Sequence, residues 1–224
     1  MARVKITTSN QKEFCGKEPE FRLCHPHPPL LSKIMSQEEI RPARKEDCAA
    51  IAALYSISAD GVADYIWTKL AQPGEDLLTI GRRRYEREGS SFSYQNCWLV
   101  EREGKIIGLL FAFPMHVDPS GVESDPVLAP YSKLKEDNSY YIGGIALFPK
   151  FRRAGIGTKL LSLAEQHALD KGFRKLSLIV FEQNVGAKRL YERAGYSEVA
   201  REAVYPHPLI HYTGDALLMV KGVE

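Results

Sequence analysis

The spacing of hydrophobic residues changes along the chain, and each change predicts an element. Glu39-Ile40-Arg41-Pro42-Ala43 reads as a short edge strand, since an internal proline is tolerated where no partner strand needs its N–H. A helix follows, with Cys48, Ile51, Ala52 and Tyr55 recurring at helical spacing. Over residues 62–88 the same period predicts a second helical region, broken at Gln72-Pro73-Gly74, with Ile66, Trp67, Leu70, Leu77 and Leu78 at apolar positions. Residues 98–101, a turn at Arg102-Glu103-Gly104-Lys105 and the apolar run 106–113 give a hairpin feeding a buried strand.

Residues 114–139 are rich in proline and acidic residues and weakly periodic, so a loop or small excursion is expected, of a length that is often functional. Beyond it, strand 140–147, helix 155–171, strand 175–181 and helix 184–194 alternate. Strands 197–203 and 215–220 close the chain, joined by Tyr205-Pro206-His207-Pro208-Leu209-Ile210-His211-Tyr212. The pattern is that of an α/β domain with about six to seven strands, and no internal repeat interrupts it.

Residues 1–34 lack a sustained apolar period, contain Pro19, Pro26, Pro28 and Pro29, and hold six Lys or Arg against three Asp or Glu. A basic, flexible tail over 1–35 is expected ahead of a single domain at 36–224, with Met35 a candidate start of the natural chain. Glu13, Glu18 and Glu20 argue against an organelle-targeting helix in the tail.

Composition narrows the function classes. A length of 224 residues with 44% hydrophobic content supports one sizeable core. The net charge is only +2, and the densest basic run, Arg82-Arg83-Arg84, reads as a solvated helix face, so no nucleic-acid partner is expected. No apolar run approaches the ~20 residues that cross a bilayer, and no signal-peptide core is present. A cytoplasmic protein without a membrane partner is expected, and a monomer and a homodimer both stay open. Four cysteines without regular spacing imply reduced thiols. Cys24-His25-Pro26-His27 with Cys15 lacks the paired spacing of a zinc module, so no metal is expected.

Arg152-Arg153-Ala154-Gly155-Ile156-Gly157-Thr158 lies between a strand and a helix whose buried stripe is Ile156, Leu160, Leu161, Ala164 and Ala168. The first N–H groups of a helix lack intrahelical partners and its dipole adds positive charge, so an anion is favoured there. Two glycines clear the approach, two arginines add charge, and a pyrophosphate is the natural occupant. A plain strand-to-helix turn is the alternative. A dinucleotide fingerprint fails at Leu160, where a third Gly or Ala is wanted, and the G-x-x-x-x-G-K-[ST] loop is absent.

Ile145-Ala146-Leu147-Phe148-Pro149-Lys150-Phe151-Arg152-Arg153-Ala154-Gly155-Ile156-Gly157 resembles the strand-and-loop signature of the GNAT superfamily of N-acetyltransferases, with its [RQ]-x-x-G-x-[GA] core. Asn184-x-x-Ala187-x-x-Leu190-Tyr191-x-x-x-Gly195-Tyr196 is similar to the second signature of the same superfamily. Ile40-Arg41-Pro42-Ala43, Asp47 and the Gly104 hairpin resemble its opening, so the likeness spans residues 39–220. It implies a mixed, mostly antiparallel twisted sheet flanked by helices, with a splayed CoA-binding cleft. It also implies acetyl-CoA as acyl donor and a primary amine of a small molecule, peptide or protein as acceptor.

The resemblance assigns roles residue by residue. Ile145, Ala146 and Leu147 would meet the donor along the strand, with the Leu147 N–H polarising the acetyl carbonyl. Arg152, Arg153, Ala154, Gly155, Ile156, Gly157 and Thr158 would hold the pyrophosphate, Asn184 would contact the CoA arm, and Tyr191 would protonate the departing thiolate. From periodicity alone Tyr191 is a core tyrosine on the stripe Ala187, Leu190, Tyr191 and Ala194, and Asn184 a helix cap. The general base is not assigned. No acid lies within strands 140–147 or 175–181, Glu182 stands at a strand end, and His116, His207, His211 or a water chain are the alternatives. Asp60, Asp64, Asp118, Glu123, Asp125, Glu136 and Asp137 fall in segments that would border an acceptor, yet read as surface solubility. Without a strand acid, a CoA-binding regulatory module lacking turnover is the second expectation.

Overall fold

The computed structural model describes residues 38–224; the expected tail and the Cys15, Cys24, His25 and His27 cluster lie outside the described residues. Seven strands form one sheet: β1 (Glu39–Pro42), β2 (Cys97–Arg102), β3 (Lys105–Met115), β4 (Ser139–Leu147), β5 (Lys175–Phe181), β6 (Ser197–Ala203) and β7 (Asp215–Gly222). Their order is β1-β2-β3-β4-β5-β7-β6, and every pairing is antiparallel except β4 with β5. The helices are α1 (Cys48–Ser58), α2 (Val62–Leu70), α3 (Leu77–Tyr85), α4 (Ala129–Lys133), α5 (Ile156–Asp170) and α6 (Val185–Arg193). This is the mixed, mostly antiparallel α/β architecture expected from the sequence.

Strand alternation divides the core between the two faces of the sheet. Val100, Leu110 and Ala112 pack with Ile156, Leu160 and Ala164 of α5. Leu99, Leu109, Phe111 and Phe113 pack instead with Ile51 and Leu54 of α1 and Ile80 of α3. Burial from both sides explains why β3 is continuously apolar where a half-exposed strand would alternate. The break at Gln72-Pro73-Gly74 separates α2 from α3, and the Asp76 carboxylate restarts the helix by accepting from the Thr79 N–H at 2.9 Å. Leu70, at the last position of α2, and Leu78, in the first turn of α3, come out exposed, contrary to the apolar positions expected for them.

The excursion 114–139 is not wholly irregular. β3 continues to Met115, and α4 forms between Val127 and Leu134, which pack on Phe181, Ala216 and Leu218. Among the described residues no helix is long and apolar enough to cross a membrane.

β4 and β5 pair only through Tyr140↔Leu176, Tyr141↔Ser177 and Ile142↔Leu178. Directly beyond, β4 bulges: Ala112 faces Ile142 and Phe111 faces Gly144, leaving Gly143 without a partner. Glycine is required at both positions by close packing. A Cβ on Gly143 would lie 2.8 Å from the Phe111 ring, and one on Gly144 2.6 Å from Ser58 Oγ of α1. Past this bulge the two parallel strands part.

Candidate functional site

The parting of β4 and β5 opens a cleft of about 1320 Å³. On its β4 side the Phe148 N–H donates to the Ile107 carbonyl at 3.0 Å, toward β3. Alternation along the strand therefore turns the backbone groups of Leu147 and Ile145 the other way, to the open edge, and those of Ala146 into the sheet. Arg152 confirms the direction: its Nε–H donates to the Leu147 carbonyl at 3.0 Å. The Leu147 N–H is thus a backbone donor on the open edge of the strand.

At one end the cleft meets the first turn of α5. Gly155 is the N-cap, with φ 78°, and no side chain caps the helix. Its carbonyl accepts from the Lys159 N–H at 3.2 Å, while the N–H groups of Ile156, Gly157 and Thr158 have no intrahelical acceptor. Nothing lies within 4 Å of a Cβ built on Gly155, and a Cβ on Gly157 would come 3.1 Å from Leu190 of α6. Arg152, Arg153, Gly155, Gly157 and Thr158 border the cleft. Ala154 is exposed to one side, and the Ile156 side chain is buried in the core, so only its backbone N–H faces the first turn.

Tyr191 of α6 borders the same cleft. Its ring packs edge-on against Tyr196, with centroids 6.0 Å apart, and its hydroxyl makes no hydrogen bond among the described residues. Burial, and then the charge of Asp60, push its pKa up to about 12, so the phenol keeps its proton through the ordinary pH range. Asn184 serves two elements at once. Its Oδ1 accepts from the Ala187 N–H at 3.3 Å, capping α6, and its Nδ2 donates to Asp60 Oδ2 at 3.3 Å.

Asp60, one of the seven acids that the sequence places beside an acceptor and reads as surface solubility, is the one whose surroundings differ. It sits in the turn between α1 and α2 with φ 47°, borders the cleft, and its charge reaches Tyr191, Tyr131 and Tyr212. Burial raises its pKa above the usual carboxylate range, against the lowering effects of the Asn184 hydrogen bond, His211 and Arg152. The connection between β6 and β7 holds the turn in place, the His211 N–H donating to the Asp60 carbonyl at 3.0 Å.

The other acids have structural partners. Asp64 accepts from Ser56 Oγ at 2.8 Å, Asp118 from Ser120 Oγ at 2.6 Å, and Asp137 from the Val117 N–H at 2.8 Å. Asp125 binds Tyr65 and Lys69, and Glu136 pairs with Lys175. Glu123, which also borders the cleft, accepts from the Asp125 N–H at 2.9 Å. Glu182 pairs with Arg201 at 3.4 Å, His207 packs on Tyr65, and His116 on Phe173. None of these last three borders the cleft.

A parallel-strand splay, a bare helix N-terminus beside it and a phenol within it form one cleft suited to an extended ligand with an anionic end. Residues 64–196 match the model of the acetyltransferase (GNAT) family. The chain belongs to that family, whose members are N-acyltransferases that use acetyl-CoA as donor. It is 27% identical over 139 residues to the mycothiol acetyltransferase of Thermomonospora curvata, covering 62% of this chain but only 40% of that protein. It is also 27% identical over 159 residues to an uncharacterized N-acetyltransferase, YhfO, of Bacillus subtilis, covering 71% of this chain and 89% of that one. The structure of YncA from Salmonella typhimurium with its cofactor acetyl-CoA shares the fold, with a TM-score of 0.55 at 18% identity over 84% of this chain and 95% of that one.

Proposed function

We propose that this chain transfers the acetyl group of acetyl-CoA to a primary amine of a small molecule or peptide, in the cytoplasm. The observation that carries this is that the open edge of β4, the uncapped start of α5, Tyr191 and Asp60 all border one cleft. The free, buried thiols of Cys48 and Cys97 suit a reducing compartment.

The donor supplies a thioester carbon for attack and a thiol as leaving group. Arg152 and Arg153, with the N–H groups of Ile156, Gly157 and Thr158, would hold its pyrophosphate; Ala154 extends the loop. Ile145 and Leu147 would take the arm along the open edge, over the side chain of Ala146, with Asn184 flanking it from α6. The Leu147 N–H donates to the carbonyl oxygen as charge develops there. Asp60 takes the proton that the acceptor ammonium must lose, steadied by the Asn184 amide, and Tyr191 gives its proton to the departing sulfur.

The alternative, a CoA-binding module without turnover, rests on the absence of an acid within strands 140–147 and 175–181. A half-buried carboxylate at Asp60, on the turn instead of a strand and with a pKa raised by its partial burial, would supply that role and favours the enzyme. Thiol release from acetyl-CoA over a panel of amines and N-terminal peptides tests it. Release that depends on an amine is expected; tight CoA binding with no amine-dependent release would favour the regulatory module.

A further inference from the structure

The cleft carries a cation that acetyl transfer does not use. Arg84 of α3 is half-buried and borders the cleft, with its guanidinium 4.6 Å from the centre of the Phe92 ring. Its neighbours in the triplet each have a carboxylate: Arg82 pairs with Glu86 at 3.2 Å and Arg83 with Glu75 at 2.8 Å. Arg84 has none among the described residues, and the charged and titratable groups that bear on it are Tyr85, Arg87 and Tyr55. Burial lowers its pKa, as befits a guanidinium drawn from water without a counter-ion. A ring face offsets part of that desolvation, and no protein acceptor among the described residues takes the N–H donors.

The surroundings are those of a ligand subsite. Arg87, Ser90 and Ser91 border the same end of the cleft, and Tyr55, Phe92, Phe113 and Tyr141 line it with aromatic surface. α3 packs on the face of the sheet opposite to α5, so this charge is separate from that of the Arg152 and Arg153 loop. A shallower hollow of about 330 Å³ also borders Arg84 and contains Glu75, but that carboxylate is held by Arg83.

We infer that Arg84, assisted by Arg87, binds an anionic group of the acceptor, which is an amine bearing a carboxylate, with its apolar part against the aromatic wall. The amine's place at Asp60 rests on the proposed transfer reaction; the anion subsite does not.

Calorimetry on the full chain saturated with CoA separates the two. The standard amino acids are titrated against their carboxamides, which keep the amine and lose the charge. The carboxylate forms should bind about tenfold tighter or more, the range of a charge-assisted pair. Arg84→Gln should bring that ratio close to one. Arg87→Gln, at an exposed position that does not threaten folding, should reduce it in part. Equal affinity for acid and amide, or a preference that survives both substitutions, overturns the subsite. Turnover with acetyl-CoA in the same panel reports on the other question: a carboxylate preference without acetylation upholds the subsite and counts against transfer to these amines.

Discussion

Gly61 faces Leu209 so closely that a Cβ on it would lie 1.7 Å from the Leu209 carbonyl oxygen. With φ 94°, the position also favours glycine on backbone grounds. Gly61→Ala therefore adds roughly 1–2 kcal/mol of left-handed strain and forces backbone apart. The thermal midpoint should fall by at least about 2–4 °C, and the rate should fall with it as Asp60 loses its seat. A variant with unchanged melting and rate would show that this contact does not hold the turn.

Tyr191→Phe keeps the ring and removes a hydroxyl with no protein hydrogen bond to lose. Stability should change little, while kcat falls by ~10² to 10⁴ and the affinity for acetyl-CoA holds. Because the pKa stands at about 12, no alkaline limb from this phenol is expected in wild-type rate profiles below pH ~11. Full activity in a stable variant removes Tyr191 from the chemistry.

Asp60→Asn separates the fold from catalysis through pH. The folded-state pKa lies above the unfolded value of about 4, so the stabilising contribution is whole below that value and fades as pH rises through the folded one. At neutral pH the ionised carboxylate works against folding, and the variant should melt no lower than wild type while kcat/KM falls by ~10² or more. The wild-type rate should lose activity in acid earlier than an ordinary exposed carboxylate would dictate. Melting curves of both proteins against pH, beside rate profiles, decide the matter; a variant that melts lower at neutral pH contradicts the sign.

Thr158→Asp puts a carboxylate in the first turn of α5. Negative charge there is favourable to the helix by ~0.3–1 kcal/mol, yet it repels a pyrophosphate at the same N–H groups. A midpoint held or raised, with CoA affinity lost, is the expected pair of results. This substitution is cleaner than Gly155→Glu, since Gly155 sits at φ 78° and any side chain there strains the backbone. Unchanged CoA affinity would show that the loop is only a turn.

Local patterns carried much of the fold. Strands 175–181 and 197–203 have the bounds their periodicity predicts, and Asn184 caps α6 as its position implies. Asp60 was not legible because seven acids of similar setting differ only in what the fold brings to them. Residues 60, 184 and 191 meet only after the sheet forms and the connection between β6 and β7 has docked on the α1–α2 turn. Arg84 was legible in part. It lies one helical turn beyond Ile80 and Gly81, on the buried stripe of α3, so the period that marked those two marks it as well. Reading the basic triplet as one solvated unit hid that difference.

Among the described residues, the three residue pairs joining β4 to β5 are the sheet's only strand pairing between β1–β2–β3–β4 and β5–β7–β6. Beneath that link Ser139 and Ser177 share a buried hydrogen bond of 2.7 Å, with Ser139 also donating to the Glu136 carbonyl at 2.8 Å. The sheet is thus two segments sewn by one short seam, with α5 packed across both, and a ligand lying in the gap touches both. Such a ligand acts as a splint: its gain in melting temperature should exceed what its own contacts to either half would give, and slowed amide exchange should spread to β5 and β7 from a molecule seated on β4.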